Sequence, residues 1–302
     1  MTETIKLLQF RAAYNLPVHA GIEVGIFARH ALTIETAYTP GSLYVTRALK
    51  EGRCDIAHTG ADDVIADVEN DNRSDLFIFM GLHSGLFSLV GRPDCTSIDS
   101  LSGKSIGVDA RTSGFALVLE RLFRAKGFKG DDYQTVEIGG WESRYRALLE
   151  GKTIATLLTE PFIRNALDAG CRLLARDFEM IPSYQGTSGA ASRRWAEQHP
   201  DRLVRYIRAY MEATQWCFND RNRRACLDIL ARYSDIEGPA AEHTLDALLA
   251  PDAGLYAKAG VNISGVTAAL ELRAKLGYLV GPIPPVEKYV DLSYYRKASA
   301  IV

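Results

Sequence analysis

The chain has 302 residues, 47% of them hydrophobic, which is enough for two domains with packed cores and argues against disorder. Its 35 basic and 37 acidic residues leave a net charge of −2, so no chain-wide field recruits nucleic acid or an anionic membrane. The apolar runs stop short of the ~18 residues that a membrane span needs, and five scattered cysteines without a CxxC pair argue against a disulfide framework and a zinc site.

In chain order, strands and helices alternate. Residues 5–10 form a short apolar run, followed by a helix through Gly25 and a second strand at 32–36. The segment TPGSLYVTRALKEG puts Gly41 and Ser42 at a helix N-terminus, with Leu43, Val45, Ala48 and Leu49 on the apolar face. A strand at 55–58, a helix from about 61 to 69 and an apolar strand at 76–82 complete a lobe with a largely parallel sheet. After a polar bridge at 92–104 the alternation restarts, with strands at 105–108, 133–138 and 154–158 and helices at 112–125, 141–149 and 161–169. Beyond Tyr184 a Gly-Thr-Ser-Gly loop leads into helices at 200–218, 223–233, 239–249 and 264–275, with no further strand expected. These helices are expected to return to the first lobe. The division is then residues 1–88 plus 188–302 against 89–187, with crossings near 83–92 and 182–189 about which the lobes could hinge.

The two halves share a phrase. Residues 48–63, ALKEGRCDIAHTGADD, are echoed without a gap at 147–162, ALLEGKTIATLLTEPF. Each copy reads as a helix end, a Gly stop, a short strand and the start of another helix. The expected architecture is therefore α/β, two Rossmann-like lobes with a central cleft and extra C-terminal helices. Ligands of such sheets meet the loops at the carboxyl ends of the strands.

That rule selects candidate ligand-binding residues. In lobe one they are Phe10, Arg11, Tyr14, Gly41, Ser42, His58, Thr59 and Gly60; in lobe two, Arg111, Thr112, Ser113, Trp141, Thr159 and Glu160. Arg111, Thr112 and Ser113 gather a guanidinium and two hydroxyls where a helix begins, a set suited to a carboxylate, sulfonate or phosphate; the plain alternative is an N-cap with Arg111 in solvent. Ser42 behind Gly41 invites the same two readings. Tyr14 and Trp141 are placed to face each other across the cleft as flat walls, although Trp141 could equally anchor its helix. Glu160 precedes a helix-starting proline, where helix electrostatics alone would account for a carboxylate. His58 stands at a strand tip and is the one candidate for acid–base work. GxSxG, HExxH, GxGxxG after the first strand and GxxxxGK(S/T) are all missing, and neither a metal nor a cofactor is expected.

The order GIEVGIF, LTIETAYTPGS, ALKEGRCDIAHTG, LSGKSIGV, LLEGK and LLTEPF resembles the nitrate/sulfonate/thiamine-precursor-binding (NMT1/THI5-like) family, over about residues 5–169. The resemblance implies a periplasmic-binding-protein type II fold. It also implies either a solute receptor of an ABC importer, for ligands such as sulfonates, nitrate or pyrimidines, or an intracellular enzyme of the same fold. The cysteine-rich CCCFC motif of the pyrimidine synthases has no match, and the loop at 10–15 lacks the desulfinase cysteine. Ile154 stands where the family often repeats the Asp of Asp55.

The leading expectation is a small-molecule binding protein that closes its lobes on a small organic anion, a sulfonate, carboxylate or heteroaromatic. The alternative is a cytosolic lyase, decarboxylase, desulfinase-like or pyrimidine-precursor enzyme, with His58 as general acid or base and Arg111 clamping a carboxylate. The start MTETIKLLQF lacks a basic n-region followed by an apolar h-region, so the expected location is cytoplasmic, or periplasmic if an export signal was removed. The partner is the ligand, joined by importer membrane subunits if the protein is exported, with no nucleic acid and no membrane insertion.

Overall fold

The computed structural model describes residues 2–251 and 253–300. Ten strands, β1 (Glu3–Gln9), β2 (Leu32–Tyr38), β3 (Ile56–Gly60), β4 (Leu76–Gly81), β5 (Phe87–Gly91), β6 (Ser105–Val108), β7 (Gln134–Glu137), β8 (Ala155–Thr159), β9 (Arg172–Arg176) and β10 (Thr187–Ser192), form two five-stranded sheets. The first has the order β2-β1-β3-β10-β4 and the second β7-β6-β8-β5-β9. Each is parallel where strand–helix–strand units connect it, as in β1 with β2 and β3 and β6 with β7 and β8. The two-lobed α/β expectation is met.

The sheets are mixed rather than largely parallel, because each lobe takes in a strand running the other way. β5 pairs antiparallel with β8 and β9, and β10 pairs antiparallel with β3 and β4. The stretch expected to be a Gly-Thr-Ser-Gly loop is thus a central strand. Its sequence, TSGAAS, is poor in strand formers, but its neighbours leave room only for small side chains: a Cβ on Gly189 would lie 2.7 Å from the Met80 Cγ. Close packing overrides propensity here. β5 and β9 were likewise not expected as strands.

The echoed phrase builds the same corner twice. Helix Ser42–Lys50 ends with Gly52 N–H donating to the Leu49 carbonyl and Arg53 N–H to the Ala48 carbonyl. Helix Trp141–Leu149 ends with Gly151 N–H donating to Leu148 and Lys152 N–H to Ala147. Both are Schellman closures, and both glycines adopt φ near +70° (67° and 74°), which a side chain would resist.

The C-terminal helices do more than return to lobe one. Pro200–Phe218 packs on Leu16–Glu23 of that lobe, but Gly238–Leu248 also touches Phe162–Asp168 of lobe two. Helix Ile263–Leu276 lies against both Ala61–Asn70 of lobe one and Gly114–Ala125 of lobe two.

Three histidines are buried in lobe one. Burial pushes His58 down to about 3, helped by the neighbouring His83 and His19, and pushes His83 to about 3 and His19 to about 4. These rings are neutral in the fold and charge only on unfolding, so each stabilises fully above the unfolded value near 6.5 and loses that contribution as pH falls below it. Buried carboxyls such as Asp63, pushed up to about 7, titrate in the opposite sense, so a single-residue comparison is needed to isolate the effect. His58→Gln is expected to be less stable than the parent at pH 8, and the gap should narrow by about 1.4 kcal/mol per pH unit below 6.5. Urea unfolding of both proteins at pH 8, 6.5 and 5 measures it; a pH-independent gap would contradict a neutral buried His58.

Candidate functional site

Because β1, β3, β6 and β7 all point their carboxyl ends into the space between the lobes, the loops that follow them meet there. They line a cavity of about 20 Å³, room for about one water with the lobes shut. Lobe one contributes Phe10, Tyr14, Gly60, Asp62, Asp63 and Thr187; lobe two contributes Asp109, Ser113, Gly114, Phe115, Trp141 and Arg144, with Tyr184 at the second crossing. A groove bordered by Ser42, Thr46, Thr112 and Ser113 adjoins it at Asp63.

The lobes are closed over this space by hydrogen bonds between them. Gly140 N–H donates to the Pro40 carbonyl at 2.8 Å, Ala13 N–H to the Glu160 carbonyl at 3.0 Å, and the Trp141 indole N–H to the Tyr14 hydroxyl at 3.3 Å. Ser42 N–H donates to Asp109 Oδ2 at 3.1 Å. Helix Ser42–Lys50 has no side-chain cap of its own, so a carboxylate from the opposite lobe caps its N-terminus.

Arg144 dominates the electrostatics. It is 2% exposed, its guanidinium lies 4.2 Å over the Trp141 ring, and its Nε has no hydrogen-bond partner. Among the described residues no carboxylate comes within ion-pair distance of it. Burial lowers it to about 10, with Asp109 and Tyr14 pulling it back up. An uncompensated buried cation costs several kcal/mol, so this arrangement is one that an acceptor or anion in the cavity would relieve.

The same cavity is also lined by carboxylates. Asp63 Oδ2 accepts from the Thr59 hydroxyl at 2.7 Å and from Gly60 N–H at 3.0 Å. Burial, then the Asp109 carboxylate, raises its carboxyl to about 7, against the pull of the Thr59 hydrogen bond. Asp62 is not available in the same way, since its Oδ2 meets Arg273 Nη1 at 2.6 Å with both side chains nearly inaccessible. The same Nη1 also donates to the Thr112 carbonyl at 3.3 Å. Between the charged ends stand aromatic walls, with Phe115 centred 5.2 Å from Trp141 and 6.0 Å from Tyr184.

Of the residues expected at the site, Phe10, Tyr14, Gly60, Ser113 and Trp141 line the cavity. Ser113 Oγ donates to the Ala110 carbonyl. Ser42 and Thr112 border the adjoining groove, and Gly41 packs against Asp109 at the seam. Arg11 lies in a separate groove with Glu142 and Arg146. Arg111 is exposed and engages the site through neither its side chain nor its backbone, whose N–H donates to Glu137. Thr59 supports Asp63 from behind; Thr159 donates to the Leu86 carbonyl, and Glu160 accepts from Arg164 N–H at the start of its helix.

His58 is corrected outright. β3 pleats so that Ala57 and Thr59 face one way and Ile56 and His58 the other, and the imidazole Nε2 meets the Tyr206 hydroxyl at 2.8 Å beneath the sheet. It does not line the cavity and is not placed for acid–base work there. Asp63, Asp109, Phe115, Arg144, Tyr184 and Thr187 were not foreseen. Arg144 had a signal: in WESRYRALL it sits three residues after Trp141, on the same helix face.

Two α/β lobes with a cavity between their strand tips define the class of type II periplasmic-binding-protein folds. The chain belongs to the NMT1-like family, whose profile matches residues 3–231. No curated protein sequence matches it. Among solved structures it is similar to the periplasmic nitrate-binding protein NrtA from Synechocystis PCC 6803 (TM-score 0.82, 14% identity, covering 100% of this chain and 89% of that one). It is also similar to the ligand-binding component of an ABC-type import system from Staphylococcus aureus with zinc bound (0.80, 17%, 99% and 99%). A third is the alkanesulfonate-binding protein SsuA from Xanthomonas axonopodis pv. citri bound to MOPS (0.77, 19%, 95% and 98%). Among the described residues, no group of three or more His, Cys, Asp or Glu side chains is arranged to hold a metal, and no helix is long and apolar enough to cross a membrane.

Removing one partner of a buried ion pair strands the other charge. Asp62→Ala is therefore expected to destabilise the fold by about 3–5 kcal/mol, whereas Glu120→Ala, which breaks the exposed Glu120–Arg124 pair, should cost no more than about 0.5 kcal/mol. Urea unfolding at pH 7.5 compares the two; equal effects would show that the buried pair does not bear on stability as its burial requires.

Proposed function

We propose that the chain is a small-molecule binding protein of the ABC-importer solute-receptor type, which closes its two lobes on a small organic anion, a sulfonate, carboxylate or heteroaromatic. The observation that carries this reading is Arg144: a buried guanidinium that faces the cavity without a carboxylate partner. The aromatic walls of the cavity suit a flat molecule, which the lobes would part to admit. Similarity in fold to NrtA, described as nitrate-binding, and to SsuA, described as alkanesulfonate-binding, supports an anion as the cargo. The partner in this reading is the ligand, with importer membrane subunits where the protein is exported. The acid–base role that the enzyme alternative gave His58 finds no support in its position, since His58 packs under the sheet away from the cavity.

Native mass spectrometry of the freshly purified protein should find a small anionic molecule released unchanged on denaturation. Arg144→Gln should weaken its rebinding by about 30-fold or more, the loss of a charge-assisted hydrogen bond worth ~2 kcal/mol. Recovery of a chemically converted product, or rebinding unaffected by the substitution, would overturn the proposal.

A further inference from the structure

The carboxylates that line the cavity together with Arg144 bear on the kind of ligand it takes. Asp62 is neutralised by Arg273, but Asp63 and Asp109 have no basic partner within ion-pair distance among the described residues. Asp63 has its Oδ2 fixed by Thr59 and Gly60 while part of its surface opens to the cavity and the adjoining groove. Asp109 has one oxygen, Oδ2, on Ser42 N–H. Arg144, buried and unpartnered at Nε, lines the same cavity and shows that the enclosure is built for a guest. A simple anion would answer Arg144 and leave two carboxylates facing it across an enclosed, poorly screened space, which costs affinity.

We propose that the ligand is amphoteric: a small flat acid that also carries a protonated amino or amidino group, with its acid on Arg144, its ring among Trp141, Phe115 and Tyr184, and its nitrogen on Asp63 and Asp109. This rests on the cavity being the ligand site and names the second half of the ligand. The groups that face Asp63 are Asp109, Asp62 with its partner Arg273, and the Tyr14 and Tyr184 hydroxyls, so the nearest unneutralised charge is negative. A cationic nitrogen requires the ionised carboxylate, and Asp63 without it titrates near 7. Binding below that pH therefore releases a proton from Asp63, and affinity rises with pH until Asp63 is ionised unaided.

The probes are benzoate, benzylamine and the 3- and 4-(aminomethyl)benzoates, titrated calorimetrically at pH 6, 7 and 8.5 in buffers of different ionisation enthalpy. At least one aminomethylbenzoate is expected to bind about tenfold or more tightly than benzoate, releasing close to one proton at pH 6 and almost none at pH 8.5. In Asp63→Asn, which keeps an acceptor for Thr59 and Gly60, both the advantage and the proton release should vanish while benzoate binding persists. Thermal melting checks that the variant is folded. Benzoate binding that depends on Arg144 but gains nothing from the aminomethyl group, or that gains it equally in Asp63→Asn, overturns this proposal and leaves the anion-binding reading standing. Failure of all four probes to bind overturns this proposal, while the anion-binding reading is decided by the mass spectrometry and Arg144→Gln rebinding above.

Discussion

The ion pair between Asp62 and Arg273 is the contact on which the closed cleft depends. It joins the first turn of helix Ala61–Asn70 to the C-terminal helix Ile263–Leu276, and the same guanidinium reaches the Thr112 carbonyl in the other lobe. Two charges buried together gain little net stability over an apolar contact of the same shape. What the pair supplies is position: helix Ile263–Leu276 is locked against both lobes. The tight fit nearby follows from this, since a Cβ on Gly265 would meet the Tyr184 carbonyl carbon at 2.4 Å and one on Gly114 would meet Asp62 at the same distance.

The pair also decides which charges the cavity presents. With Asp62 neutralised, the charged groups lining the cavity are Arg144 and Asp109 from lobe two and Asp63 from lobe one, among aromatic rings. Burial away from bulk water penalises the charged forms, which is why the Asp63 carboxyl rises, with the Asp109 carboxylate adding to it, and the Arg144 guanidinium falls despite the pull of Asp109 and Tyr14. Asp109 has two roles at once, capping helix Ser42–Lys50 across the seam and bordering the cavity, so closure and ligand recognition share an atom group.

The scaffold was legible in the sequence because the echo at 48–63 and 147–162 encodes backbone chemistry: helix end, left-handed glycine, strand. The same closing hydrogen bonds recur in both copies. The antiparallel strands were not legible. TSGAAS carries no apolar alternation, and only the crowding of Met80 and Phe79 explains why small residues occupy the centre of a sheet. At the site, rules about strand tips found the right loops but not always the right side chains. His58 failed because a strand tip offers two faces and the pleat sends the imidazole to the wrong one. Arg111 looked like the anion ligand because it opens a helix, yet it is exposed, while Arg144 is held inside by stacking on Trp141. In sequence, Arg144 lies between Glu142 and Arg146, which form an exposed pair four residues apart, and so reads as one more surface charge.

The difference between the two repeats now has a physical meaning. Thr59, next to the last residue of β3, supports Asp63, keeping a carboxylate presented to the cavity, whereas Thr159, the last residue of β8, donates to Leu86 at the crossing between lobes. One copy holds a ligand-facing group and the other holds a hinge-facing strand. Lobe one therefore brings Asp63 and lobe two brings Arg144 and Asp109, so no single lobe contains the full set. A ligand that needs both ends finds them together only when the lobes are shut, and its preference for that state is what would bias the equilibrium toward closure. Recognition and closure would then be one event, because Arg144 with Asp109 belongs to one lobe and Asp63 to the other.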